Sequence, residues 1–157
     1  MKKIKVFEMG GTISAQGANR LDMKDYQSGI YTGDYFAEQI PELKNIADVT
    51  FESFLRISST EVDAPHWIEL REKVIYALEV ENYDGIVITH GTNTLEESAY
   101  FLHLTVPTEK PIVFVGAQRP FTGMSTDAHY NLVQAIRVAQ SDTAKGKGVL
   151  VVLNDEI

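Results

Sequence analysis

Ile86-Val87-Ile88-Thr89-His90-Gly91-Thr92-Asn93-Thr94-Leu95-Glu96-Glu97 decides how the rest of the chain is read. Residues 86–89 form a short apolar run, preceded by the turn pair Asp84-Gly85 and followed by a polar stretch, and read as a buried strand. Residues 90–93 then place an imidazole, a glycine, a hydroxyl and an amide in one loop. Thr94 to Glu97 open a helix, with two carboxylates in its first turn where they complement the dipole. Strand, polar loop and helix in that order form the repeating unit of a parallel sheet covered by helices.

The same unit recurs on both sides. Residues 4–9 form an opening strand that stops at Gly10-Gly11, and residues 12–33 follow with much Gly, Ser, Asn, Gln and Asp and little periodicity. A connection of roughly twenty residues without a strong element is often a functional loop. Residues 34–40 form a short helix ended by Pro41, and residues 48–57 a second strand. Residues 58–64 are a polar link, and Asp63 with Pro65 starts a helix. Trp67, Leu70, Val74, Ala77 and Leu78 carry that helix at three- and four-residue spacing to about Glu81. Lys110-Pro111 leads into a strand over residues 112–115, then a loop to Thr126. A helix begins at Asp127 with Leu132, Ala135, Ile136 and Ala139 on one face, and a turn at residues 146–148 gives a last strand over residues 149–153. The expected architecture is one α/β domain over residues 1–157, a Rossmann-like, mostly parallel sheet flanked by helices.

Composition narrows the function classes. Fourteen Lys and Arg face 22 Asp and Glu, a net charge of −8. An acidic surface of that kind repels phosphate backbones and anionic lipid, so neither a nucleic acid nor a membrane is the expected partner. Cysteine is absent, which excludes disulfides, thiolate metal sites and a cysteine nucleophile. The basic start lacks the apolar stretch of a signal peptide, and no run approaches the ~18 residues of a membrane span. A cytoplasmic protein is the expectation. His66, His90, His103 and His129 show no short-spaced pair, so no metal is expected. Gly10-Gly11 follows a strand, but the glycine spacing of a dinucleotide site and the acidic ribose ligand are missing, and so is a phosphate-binding P-loop. No cofactor is expected.

Three strand-end loops combine small residues with polar ones: Gly10-Gly11-Thr12-Ile13-Ser14, His90-Gly91-Thr92-Asn93-Thr94 and Gly116-Ala117-Gln118-Arg119-Pro120. In a parallel sheet they share one edge, where Thr12 and Thr92 can approach each other. Glycines beside a hydroxyl let the backbone come close to a ligand and turn N–H groups toward it. Acyl transfer needs that combination of a nucleophile and donors for the developing oxyanion, the latter worth about 3–4 kcal/mol each. Taken alone, a Gly-Gly-Thr sequence after a strand is more often a simple turn. A strand-end histidine such as His90 more often supports a loop than acts as a base, and Glu96-Glu97 read as helix-terminal charge rather than an acid/base pair.

Taken together the loops resemble the bacterial L-asparaginase family, including the glutaminase-asparaginases. The resemblance rests on residues 8–13, 88–102, 115–120 with Ser125, Asp127 and Asn131, and 148–157, four ordered blocks spanning nearly the whole chain. It implies the N-terminal α/β domain of such an enzyme. It also implies Thr12 as nucleophile, Tyr26 as its assistant and Thr92 as a second catalytic threonine. Ser59 and Thr60, Asn93, Gly11 and Gly91 would bind substrate, and Ala117 would offer a carbonyl near the leaving amide. The implied partner is a small molecule, L-asparagine or L-glutamine, and the implied state of the full-length enzyme is a homo-oligomer.

Departures from the family pattern are of two kinds, at substrate-binding positions and at the end of the chain. Asn93 occupies the position of an aspartate that binds the substrate ammonium, which removes a charge-assisted bond. Thr60 stands where a glutamine or acidic residue is frequent. The family's catalytic lysine lies past Asn154-Asp155 and its smaller C-terminal domain is not in this chain, so a fragment with little or no activity of its own is expected. Two other readings compete: a non-catalytic amino-acid-binding or interaction domain, and the ammonia-releasing subunit of a tRNA-dependent amidotransferase. The second is disfavoured by the acidic charge and by Gly10-Gly11-Thr12 following a single opening strand.

Overall fold

The computed structural model describes residues 1–157. Five strands form one sheet: β1 (Lys3–Gly10), β2 (Asp48–Ile57), β3 (Gly85–Thr89), β4 (Ile112–Val115) and β5 (Val149–Val152). Every pairing is parallel, and the order across the sheet is β2-β1-β3-β4-β5. Four helices connect them: α1 (Gly33–Gln39), α2 (Ala64–Glu79), α3 (Leu95–Thr105) and α4 (Ala128–Gln140). The chain therefore has the expected α/β architecture, with helices over both faces of a parallel sheet.

The strands alternate sides residue by residue. Ile4, Val6, Val87, Val113 and Val115 pack with Phe36 of α1 and with Leu132, Ala135 and Ile136 of α4. Phe7, Met9, Ile86, Ile88, Ile112 and Phe114 face the other way, onto Leu70, Val74 and Leu78 of α2 and Ala99 and Leu102 of α3. Both faces of β3 and β4 are buried along their whole length, which is why they read as continuous apolar runs rather than as alternation.

Several element ends differ from the sequence-based expectation by one or two residues, and two of these differences have a specific cause. Gly85 is the first residue of β3 rather than part of a turn, paired with Ile4. A Cβ there would lie 2.5 Å from the Ala139 carbonyl oxygen, so the glycine admits the end of α4 against the sheet. Leu153 does not extend β5. The chain folds back at Asn154 and Asp155, which adopt φ of 51° and 65°, and Leu153 exchanges backbone bonds with Glu156.

The order 2-1-3-4-5 reverses direction between β1 and β3. Connections leave those two strands toward opposite faces, which opens a crevice at their carboxyl ends, where open α/β sheets bind ligands. The burial of α3 on the sheet is checked by one substitution. Leu102 is fully buried, and Leu102→Ala is expected to lower the unfolding free energy by about 3 kcal/mol, within the usual range for a buried leucine, as read by urea denaturation followed by circular dichroism.

Candidate functional site

The crevice begins with two glycines. Gly11 follows β1 with φ 77° and a Cβ there would lie 2.4 Å from both Cα and N of Gly91, which follows β3. In turn, a Cβ on Gly91 would come within 2.7 Å of Ser59 Oγ. The loops after β1, β2 and β3 thus touch through positions that have room for hydrogen only. This contact brings Thr12, Ser59 and Thr92 to one place.

A cavity of about 340 Å³ opens there, lined by Gly11, Thr12, Lys24, Tyr26, Ser28, Ser58, Ser59, Gly91, Thr92, Asn93, Ala117 and Gln118. Eight of the nine residues expected from the sequence line it. Thr60 does not; it is exposed, and its hydroxyl lies 2.9 Å from Ser58 Oγ, inside the 3₁₀ turn that follows β2. Lys24, Ser28, Ser58 and Gln118 are the lining residues that sequence reading missed. Lys24 and Ser28 lie on the long loop, whose path no periodicity predicts. A larger pocket beside α4 and β5 contains none of the loops after β1, β2 and β3, and we therefore take the polar crevice as the candidate site.

Within the crevice the Thr12 hydroxyl lies 2.9 Å from the Tyr26 hydroxyl. Tyr26 reaches it because residues 12–33 are tied down at several points. Gln16 and Gln27 form an isolated antiparallel bridge, the amides of Ile30 and Tyr31 donate to the Ser14 carbonyl at 2.9 and 3.0 Å, and Gly17 N–H donates to Thr122 Oγ1 at 3.1 Å. From β2, Arg56 donates Nε to the Gly29 carbonyl at 2.8 Å and Nη2 to the Ile30 carbonyl at 2.7 Å. Across the crevice, Thr94 Oγ1 donates to the Ser59 carbonyl at 2.7 Å and so joins the loops after β2 and β3. The N–H groups of Thr92 and Asn93 have no acceptor within the chain and are available to a ligand's oxygen.

His90 lies below the crevice, fully buried. Its Nδ1 is 2.7 Å from the Gly91 carbonyl and its Nε2 is 2.8 Å from Ser98 Oγ, which accepts from Trp67 Nε1 at 2.8 Å. A carbonyl only accepts, so Nδ1 carries the proton and Nε2 accepts from the serine. Each group in the relay is then satisfied with a neutral imidazole, and burial holds its pKa below the ordinary histidine value. His90 does not line the cavity; it braces the peptide that carries Gly91. Asp127 does similar work on the loop after β4, its carboxylate accepting from the amides of Gln118 and Arg119 at 2.9 Å each. Asn131 Nδ2 donates to the Gly116 carbonyl at 3.0 Å, and its Oδ1 accepts from Asn154 N–H at 3.0 Å.

The cavity offers hydroxyls, amides and backbone groups, and Lys24 is its only side chain with a full charge. No cluster of three or more His, Cys, Asp or Glu side chains is placed to hold a metal ion. The arrangement suits a small polar ligand and attack by a hydroxyl on a carbonyl.

A family model described as "Asparaginase, N-terminal" matches residues 3–157. L-asparaginase 2 of Bacillus subtilis (strain 168) is 42% identical over 157 residues, which is all of this chain and 42% of the relative. A glutaminase-asparaginase of Pseudomonas fluorescens biotype A is 42% identical, again over all of this chain and 43% of its own length. A crystal structure of a "Probable Cytoplasmic L-asparaginase" from Campylobacter jejuni superposes with a TM-score of 0.96 at 37% identity, covering 99% of this chain and 47% of that one. A relative from Haemophilus influenzae carries a periplasmic name. The chain spans less than half the length of the relatives it matches.

The close approach of the two glycines has a direct test. Gly11→Ala puts a methyl into the Gly91 backbone and a side chain at positive φ, and the strained backbone alone costs about 1–3 kcal/mol. The variant is expected to unfold at lower urea concentration than the parent protein, measured by circular dichroism.

Proposed function

The chain belongs to the asparaginase family, and on that premise we propose that it carries the nucleophile-bearing half of an enzyme that hydrolyses L-asparagine to L-aspartate and ammonia. The pairing of Thr12 with Tyr26 at 2.9 Å inside a polar crevice is the observation that carries this reading. Thr12 Oγ attacks the side-chain carbonyl carbon as its proton passes to Tyr26 or a group beyond it, and the carbonyl oxygen takes up negative charge. Backbone N–H groups beside Gly11, Gly91 and Thr92 stabilise that oxygen. Collapse of the adduct breaks the C–N bond, the nitrogen leaves as ammonia with the proton returned to it, and an ester on Thr12 remains. Water then attacks the ester in the same hole, releasing aspartate and restoring the hydroxyl.

The remaining roles follow from where each residue lies. Thr92 faces Thr12 across the crevice and orients the attacking water or the amide. Ser59, with Gly11 and Gly91 at its back, receives the substrate α-carboxylate, Asn93 accepts from the α-ammonium, and the Ala117 carbonyl receives the departing amide N–H. Thr60, outside the cavity, supports this pocket through Ser58. L-glutamine, one methylene longer, is the second candidate substrate. The full-length protein is proposed to be a cytoplasmic homo-oligomer without cofactor; no helix here is long and apolar enough to cross a membrane.

One observation favours a second reading, binding of an amino acid without turnover. No carboxylate or imidazole lines the cavity to take a proton from Thr12, and Asn93 is neutral. Both readings are tested in the protein as its own gene encodes it. Thr12→Ala is expected to lower kcat on L-asparagine by about 10⁴-fold or more and Tyr26→Phe by about 10²–10⁴-fold, with KM changing little. Asparagine binding by the parent protein with no ammonia released would establish the second reading.

A further inference from the structure

Glu8 sits on β1 two residues before the glycine pair, on the face that α1 and α4 cover. It is 4% exposed, and its Oε1 has no hydrogen-bond partner. Its register partner on β3, Thr89, is fully buried with a hydroxyl that also lacks one. A carboxylate in such a place is costly unless it is paired or protonated. Burial, and then the charge of Asp34, push the Glu8 acid up to about 7, against the opposing pull of Arg56 and the Gly33 amide.

The two charged groups that act on Glu8 are also the two ends of the long loop's attachment. Arg56, from β2, holds the carbonyls of Gly29 and Ile30. Asp34 stands in the first turn of α1, directly after the loop. From β3 only the non-titrating Thr89 faces Glu8. The titratable group that α4 offers on this face is His129, kept below its ordinary pKa by burial and packed edge-on against Phe121 at 4.1 Å.

We infer that Glu8 is a positioning residue for the Thr12–Tyr26 pair. As a neutral acid it leaves Arg56 on the loop carbonyls and Asp34 undisturbed. As a carboxylate it competes with Gly29 and Ile30 for Arg56, repels Asp34, and loosens residues 12–33. Its meaning for turnover rests on the function proposed above, whereas its effect on the loop does not. The sign follows from linkage. The covered state holds the acid above its ordinary value of 4.5, at about 7, so covering is fully favoured below about 4.5, weakens as pH rises from there to about 7, and changes no further above it.

Glu8→Gln has nearly the shape of the neutral acid and cannot ionise. Hydrogen exchange of the peptide covering residues 12–33, corrected for intrinsic rates and followed from about pH 4 to about pH 8.5, tests the inference in the protein as its gene encodes it. In the parent protein, exchange is expected to accelerate from about pH 4.5, by about tenfold for each pKa unit of coupling, and to level off above about pH 7, the midpoint being the pH of half-maximal rate. In Glu8→Gln it is expected to stay at the parent's low-pH level, and the alkaline limb of kcat to move to higher pH. A parent protein without the transition, or the same transition in Glu8→Gln, overturns the inference. Should Glu8→Gln fail to fold, Asp34→Asn, at an exposed position, is expected to move the midpoint to lower pH, and an unmoved midpoint overturns the inference equally. A protein that shows the transition but does not hydrolyse asparagine contradicts the proposed function alone.

Discussion

The site depends on one backbone contact, Gly11 against Gly91, between the ends of two adjacent parallel strands. A Cβ on Gly11 would lie 2.4 Å from the Gly91 backbone and drive those two loops apart, and one on Gly91 would lie 2.7 Å from Ser59 Oγ and displace the loop after β2. With that gap closed, a hydroxyl placed one residue later on each loop, Thr12 or Thr92, faces the same small volume. The sheet order makes the contact possible. Because β1 and β3 are neighbours whose connections depart to opposite faces, a crevice opens between them at their carboxyl ends, a consequence of topology before any catalytic residue is considered.

Around this contact the polar residues divide into those that face the cavity and those that hold backbone in place. His90, Asp127 and Asn131 belong to the second group. Each spends its hydrogen bonds on peptide groups of the loops or on residues that pack behind them. Such bonds matter because loops after short buried strands leave many N–H and C=O groups that must be satisfied. Rigid loops in turn allow hydroxyls to be presented at fixed distances, which is what reaction at a carbonyl carbon requires.

Much of this was legible in the sequence. The alternation of buried strands with amphipathic helices identified the parallel sheet, because β3 and β4 are buried on both faces and read as unbroken apolar runs. Glycine beside hydroxyl at the ends of β1 and β3 pointed to the crevice. Other features were not legible. Gly85 looked like a turn because its role is to admit the Ala139 carbonyl from a distant helix. Lys24 and Ser28 enter the cavity only because Arg56 and Ser14 fold the long loop back, and neither anchor is close to them in sequence. Thr60 stands one residue from Ser59, yet the 3₁₀ turn carries it out of the cavity and onto Ser58.

The central claim is that Thr12 is the residue acylated in the crevice. The most direct measurement is rapid acid quench of the protein during incubation with L-asparagine, followed by peptide mapping by mass spectrometry. An aspartyl ester on the peptide containing Thr12, absent from Thr12→Ala, is the predicted result. An adduct on Thr92 or Tyr26 instead, or ammonia released at an unchanged rate by Thr12→Ala, would contradict it.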